Sequence, residues 1–266
     1  MPVNMAALAA DLAAESAVTR ALVAGLDEAG WHTPTPAAGW DIADQISHLA
    51  YFDEVTVQSA VHPEEFKAQL AATPDNVNPD TIAARFRDRS GAQLLRWFDT
   101  ARAELIGTFA GLDPRLRLPW FGPPMSAASS LTARIMETWA HTQDIADALG
   151  VTREPTDRLR HVAHIGVGAR AFSYAVRGQA PPQAPVRVEL TPPSGTGPAW
   201  TWGPEDAADR VTGPALDFCL LVTQRRHRDD LALVIDGPAA AEWMAIAQAF
   251  AGAAGTGRSP RRPAGA

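Results

Sequence analysis

A carboxylate and an imidazole lie four residues apart in the segment METWAHTQDIADALG, as Glu137 and His141. Residues at this spacing share one face of an α-helix, so both side chains can reach the same ion. Zinc, nickel and iron accept imidazole nitrogen and carboxylate oxygen as ligands. The best third ligand is His48, in the helical segment GWDIADQISHLAYFD. These three residues predict a His/Glu/His metal site with open coordination positions, which is the arrangement that permits catalysis.

The neighbours of these residues leave two interpretations open. His48 is flanked by Ile46, Leu49 and Phe52, which places it on the packed side of its helix. An imidazole without a partner is costly there, and a metal would satisfy it and explain a buried Glu137. A buried hydrogen-bonded cluster without a metal would do the same. The spacing alone favours neither interpretation.

Three further residues are candidates for catalysis. Asp144 follows His141 by three residues on the same helix face, so it could accept the second ring proton of that histidine or hold a water. The alternative is a carboxylate on the helix surface. Arg225 and Arg226 follow an apolar segment, and one of them could reach an anionic substrate. The alternative for this pair is a solvated run of charges.

The loop PWFGPPMS places Trp120, Phe121 and Met125 just ahead of the helix that carries Glu137. These side chains hold no metal, but they could form an apolar rim over the open coordination position and contact a bound cofactor. The alternative is a hydrophobic plug that closes one end of the helical domain.

Four long helices are predicted to position these residues. The apolar spacing indicates helices over about 4–29, 41–60, 80–110 and 126–150, with Asp41 and Ser126 as N-caps. Four long helices with short connections are typical of a four-helix bundle, in which facing helices present side chains to one internal site. A further helix over about 157–176 completes a predicted helical domain of residues 1–177.

The pattern changes after the proline-rich segment RGQAPPQAP. VRVEL, PAWTWG and LALVID indicate strands, while LDFCLLVTQRR and AAAEWMAIAQAF indicate helices. We therefore expect an α+β protein, in which the helical bundle is followed by a smaller α+β domain over residues 186–251. The tail, residues 252–266, has few apolar residues and is predicted to be disordered.

Composition excludes several classes of function. The 266-residue chain has a net charge of -7, which disfavours binding to nucleic acid through phosphate contacts. No apolar run is long enough to span a membrane, and the N-terminus lacks the features of a signal peptide, so we expect a cytoplasmic protein. The single cysteine, Cys219, excludes an internal disulfide and a multi-thiolate site. Any metal must therefore be held by nitrogen and oxygen.

With HLAYFD and ETWAHTQDIADALG both in place, the chain resembles the mycothiol-dependent maleylpyruvate isomerase family of the DinB-like superfamily, within an actinobacterial branch of two-domain metal-binding proteins. The resemblance implies a DinB-like bundle with a divalent metal, usually zinc, bound by His48, Glu137 and His141. It also implies a C-terminal α+β domain similar to sterol carrier proteins, with an active-site arginine that Arg225 or Arg226 matches. Segments like the C-terminal one are described in this branch as wyosine-base-formation-like.

Enzymes of this family use the metal to lower the pKa of a low-molecular-weight thiol, which then adds to an electrophile. The resemblance thus implies a metal-dependent transferase or isomerase with mycothiol or a similar thiol as cosubstrate and a small electrophile as substrate. The alternative is a non-catalytic protein that binds a metal or a small ligand, because the sequence offers no unambiguous general acid or base beyond the ligands. A role in nucleic-acid modification is disfavoured by the acidic balance and the lack of a cysteine cluster.

Overall fold

The computed structural model describes residues 3–72 and 78–261. The chain forms two compact units, Met1–Arg153 and Glu154–Ala266. No helix of the described ranges combines the length and the apolar character that crossing a membrane requires.

The first unit is a helical bundle with a short hairpin. Its elements are α1 (Met5–Val23), α2 (Glu28–Trp31), α3 (Ile42–Val61), α4 (Pro63–Ala72), α5 (Pro79–Ala84), α6 (Gly91–Phe109), β1 (Arg117–Leu118), β2 (Met125–Ser126) and α7 (Ala127–Ala148). The long helices α1, α3, α6 and α7 pack on one another. The predicted helical N-terminal domain is therefore confirmed.

Side-chain caps decide where the functional helices begin. Asp41 accepts a hydrogen bond from the backbone N–H of Asp44 and closes a capping box at the start of α3. Ser126 caps α7 in the predicted position, through the backbone N–H of Ser129. Ser90 caps α6 in the same way, and this cap divides the helix that we predicted over 80–110 into α5 and α6.

The second unit contains α8 (Leu159–Gly168), α9 (Arg170–Ala175), β3 (Val186–Thr191), β4 (Trp200–Trp202), β5 (Asp209–Pro214), α10 (Ala215–Val222), a 3₁₀ turn (Arg228–Asp230), β6 (Val234–Asp236) and α11 (Pro238–Ile246). The strands form one sheet in the order β4-β3-β5-β6, in which β3 and β5 are parallel and the outer pairs are antiparallel. This is the expected α+β fold. Strand β5 was not predicted.

The boundary between the units falls earlier than residue 177, where the sequence pattern places it. Helix α8 packs within the second unit: a Cβ on Gly166 would lie 2.6 Å from the side chain of Val222 and 3.2 Å from that of Phe218. The Cys219 thiol donates to the backbone oxygen of Leu159 at 3.5 Å. Helical periodicity shows which face of a segment is apolar, but it does not show which partner covers that face.

The predicted disordered tail makes specific contacts over its first part. The described residues 252–261 contain neither helix nor strand. The backbone N–H of Gly255 donates to Gln248 Oε1 at 2.9 Å, and its carbonyl accepts from Arg177 Nη2 at 2.7 Å. The rest of the predicted tail, 262–266, lies outside the described residues.

Candidate metal centre

Helices α3 and α7 bring the three predicted metal ligands together. His48 lies on α3, and Glu137 and His141 lie one turn apart on α7. One donor atom from each residue lies within 4.8 Å of the others. The Nε2 atoms of His48 and His141 lie 3.9 Å and 3.2 Å from Glu137 Oε2. Both imidazoles therefore face the same carboxylate oxygen.

Burial and mutual contact set the charges of this cluster. Burial, with the nearby charge of His141, lowers the pKa of His48 from 6.5 to about 4 and outweighs the opposing effect of Glu137. Burial by itself would raise the pKa of Glu137, but hydrogen bonds with His141 and His48 hold it well below its usual range. At neutral pH the site holds a neutral His48 and an anionic Glu137, the forms that bind a metal.

A hydrogen-bond chain determines the tautomer of His141. The Thr35 hydroxyl donates to the backbone oxygen of Trp40 at 2.9 Å, so its oxygen is the acceptor for Gln45 Nε2, also at 2.9 Å. This places Gln45 Oε1 against His141 Nδ1 at 2.5 Å. Because an amide oxygen only accepts, His141 Nδ1 carries a proton, and Nε2 is the ring nitrogen left to bind a metal.

The residues present fit a divalent metal. His141 Nε2 and Glu137 Oε2 face each other at 3.2 Å, a contact that needs a proton or a cation between the two atoms. His48 Nδ1 is buried and has no hydrogen-bond partner within the described ranges. Two imidazoles and one carboxylate form a donor set that zinc, nickel and iron accept.

Asp144 does not accept the His141 hydrogen bond that we predicted for it, and its second predicted role, holding a water, stays a prediction. The hydrogen bond of His141 Nδ1 goes to Gln45 on the facing helix α3, so the proposed acceptor on α7 is wrong. Asp144 itself is buried, with 1% of its surface exposed, which also contradicts the alternative of a surface carboxylate.

Aromatic rings surround the two histidines. The Trp40 ring lies 5.9 Å from that of His141 in a stacked arrangement and 5.3 Å from that of His48. Phe52 lies 4.7 Å from His48, and Phe121 packs edge-on against Phe52 at 6.2 Å. Phe121, one of the predicted rim residues, therefore packs against Phe52, which in turn packs against His48.

The other two predicted rim residues lie on either side of Phe121 in the chain. Trp120 stacks on Phe66 at 6.3 Å and lies 5.1 Å from Phe121. Met125 lies in β2, paired with Leu118 of β1. Their contact with a cofactor stays a prediction.

Sequence reasoning missed Gln45 and Trp40. Gln45 precedes His48 by three residues on α3, so helical spacing places both on one face and could have identified it. Trp40 lies before the N-cap of α3, where no periodicity applies, and its position depends on a hydrogen bond from Nε1 to Asp80 Oδ1 at 2.7 Å.

Arg225 and Arg226 lie in the second unit, directly beyond the end of α10. Arg225 Nη1 donates to the backbone oxygen of Thr223 at 2.6 Å, and Arg226 Nη1 donates to that of Arg225 at 2.7 Å. Arg226 also lines a cavity of about 110 Å³, together with His227 and Arg228. A contact with an anionic substrate stays a prediction for both arginines.

Comparisons with known proteins cover both units. Residues 12–146 match the family described as "Mycothiol maleylpyruvate isomerase N-terminal domain", and residues 182–234 match the one described as "Wyosine base formation". Two proteins described as uncharacterized, from two strains of Mycobacterium tuberculosis, are each 47% identical over 251 residues, which is 94% of this chain and 97% of theirs.

Solved structures match the fold over most of the chain. The crystal structures of a mycothiol-dependent maleylpyruvate isomerase and of a histidine-to-alanine mutant of it each give a TM-score of 0.58. Each match covers 89% of this chain and 97% of the other, at 16% and 15% sequence identity respectively. At this identity the likeness shows a shared fold.

Proposed function

The chain belongs to the mycothiol maleylpyruvate isomerase N-terminal domain family, and from this premise we propose that it is a divalent-metal-dependent enzyme that activates a low-molecular-weight thiol. Mycothiol or a similar thiol is the proposed cosubstrate. The proposed reaction is thiol transfer to a small electrophile, or isomerisation of that electrophile through thiol addition. Zinc is the first choice of metal, with nickel or iron as further possibilities.

The observation that supports this proposal best is the meeting of His48, Glu137 and His141, which bring one donor atom each to within 4.8 Å of the others. In this arrangement the Nε2 atoms of both imidazoles face Glu137 Oε2, at 3.9 Å from His48 and 3.2 Å from His141, and the His48 imidazole is neutral. The arrangement is well suited to three ligands of one cation.

A bound divalent metal would supply the Lewis acidity that converts a coordinated thiol to a thiolate at neutral pH. The residues of the chain prepare the site for this chemistry. Gln45 keeps the proton of His141 on Nδ1, Glu137 contributes the negative charge, and burial keeps His48 neutral. The rings of Trp40 and Phe52 exclude water beside the two imidazoles, which strengthens the electrostatic interactions within the site.

Metal content and thiol binding test the proposal separately. Protein purified without chelators should carry about one divalent ion per chain by elemental analysis, or take one up when zinc, nickel or iron is added. His48→Ala, Glu137→Ala and His141→Ala should each abolish tight binding. His62→Ala is the matched control, because that side chain is 57% exposed at the end of α3. A wild-type chain that binds none of these metals would refute the central claim.

Calorimetry with mycothiol on the metal-loaded protein tests the second step. We expect saturable binding that requires Glu137 and His141, and consumption of a suitable electrophile that requires both thiol and metal. If the metal is bound but thiol at millimolar concentration gives no heat, the thiol-dependent activity is wrong. That result would support the alternative of a non-catalytic metal- or ligand-binding protein.

A further inference from the structure

Asp53 is the centre of a buried charged network in the first unit. Its carboxylate accepts hydrogen bonds from Arg102 Nε at 2.6 Å and from Arg134 Nε at 3.0 Å, and all three residues are at most 4% exposed. Arg102 Nη1 also donates to the hydroxyls of Ser16 at 2.7 Å and Thr138 at 2.9 Å. The network therefore joins α1, α3, α6 and α7.

Arg134 connects the two helices that carry the candidate ligands. On α7 it precedes Glu137 by three residues and His141 by seven, so the three side chains share one helix face. Its Nη2 donates to the backbone oxygen of Leu49 at 3.2 Å, and Leu49 directly follows His48 on α3. One guanidinium thus spans from the ligand helix α7 to the backbone beside the ligand on α3.

A need for net stability of the core explains this buried network poorly. The network holds two guanidinium groups for one carboxylate, and all three side chains are buried. The desolvation of buried ion pairs offsets most of their attraction, and apolar residues of similar volume often stabilise a core as well. Buried polar groups are better attested as devices that specify how elements align. The planar fork of arginine suits this use, because it constrains both distance and angle.

We propose that Arg134 is a positioning residue for the candidate metal centre. Its hydrogen bonds to Asp53 and to the Leu49 carbonyl hold α3 in the one register against α7 at which His48 meets Glu137 and His141. Arg102 supports this arrangement by orienting the Asp53 carboxylate. This inference rests on the proposed metal site and names the residue that aligns its three ligands.

Cobalt binding to the full-length, chelator-treated protein tests this role, because the visible absorption of Co²⁺ reports the geometry of its ligands. Arg134→Lys keeps the charge but loses the fork, and Arg134→Met removes both. Each should weaken cobalt binding by roughly tenfold or more and shift the absorption bands. Leu12→Ala is the control, since Leu12 is fully buried on α1, which carries no ligand. It should lower the resistance to urea but keep the wild-type affinity and spectrum.

The possible results separate the two proposals. If wild-type protein binds cobalt and Arg134→Lys does so with the same affinity and spectrum, the positioning role is overturned while the metal site stands. An equal loss of affinity in Leu12→Ala would also overturn it, because the effect would then follow stability alone. If the wild type binds no cobalt, the metal site itself is overturned, and the positioning role with it. Should Arg134→Met fail to fold, Arg134→Lys decides the question.

Discussion

Acid sensitivity of the metal-free protein tests how His48 is held in the site. The pKa of this imidazole is about 4 in the folded chain, against 6.5 for an ordinary histidine. Between these values the unfolded chain binds more protons than the folded chain, so the free energy of unfolding falls as the pH falls. The contribution of His48 to stability is present in full when the pH is above 6.5, the ordinary pKa of histidine. It is lost as the pH falls toward about 4, the pKa of His48 in the folded chain.

The two pKa values give the size of the effect. Going from about pH 7 to about pH 5, protonation of His48 in the unfolded chain should lower the free energy of unfolding by roughly 2 kcal/mol. Only 8% of the His48 surface is exposed, so solvent screening takes little from this figure. The substitution His48→Gln removes the titrating group and should remove this part of the pH dependence.

Urea unfolding of the chelator-treated protein, followed by tryptophan fluorescence at both pH values, measures the difference. The loss of stability on acidification should be about 2 kcal/mol larger in the wild type than in His48→Gln. The matched control is His62→Gln, the same substitution at an exposed position that follows the same helix, and it should behave as the wild type does. Equal losses in the wild type and in His48→Gln would refute the neutral, buried state of His48.

Three other substitutions have defined outcomes. Gln45→Ala removes the acceptor that orients His141, so the affinity for zinc in a calorimetric titration should fall roughly 10- to 100-fold. An unchanged affinity would contradict the role of Gln45 in holding the proton of His141 on Nδ1. Asp53→Ala leaves two buried guanidinium groups without their carboxylate, so the free energy of unfolding measured in urea should fall by about 3–5 kcal/mol. A fall of less than about 1 kcal/mol would show that the pairing contributes little to the fold. Gly91→Ala places a Cβ 2.2 Å from the buried ring of Trp31 and should cost about 1–3 kcal/mol, seen as a lower Tm. An unchanged Tm would mean that Trp31 can move aside.

Local chemistry made several elements predictable. Asp41 and Ser126 cap α3 and α7 as expected, because a cap is a contact between residues three apart in the chain. The long apolar stripes of the bundle helices were equally readable. Strand β5 was not, because its short segment DRVTGP has little alternation and becomes a strand by pairing with β3 on one side and β6 on the other.

The sequence by itself identified the three candidate metal ligands that the fold brings together. Glu137 and His141 share a helix face through their spacing alone, and the apolar neighbours of His48 indicated that it points inward. Helical periodicity carries this information because it depends only on positions within one element.

Tertiary structure alone decided how the site is completed. His141 Nδ1 donates its hydrogen bond to Gln45 rather than Asp144, and Arg134 donates to the backbone beside His48, because α3 and α7 meet in one particular register. That register results from the packing of all four long helices and from a carboxylate shared by two arginines on different helices. Contacts between residues 36 to 96 positions apart depend on how whole helices align, and no local pattern in the chain encodes that alignment.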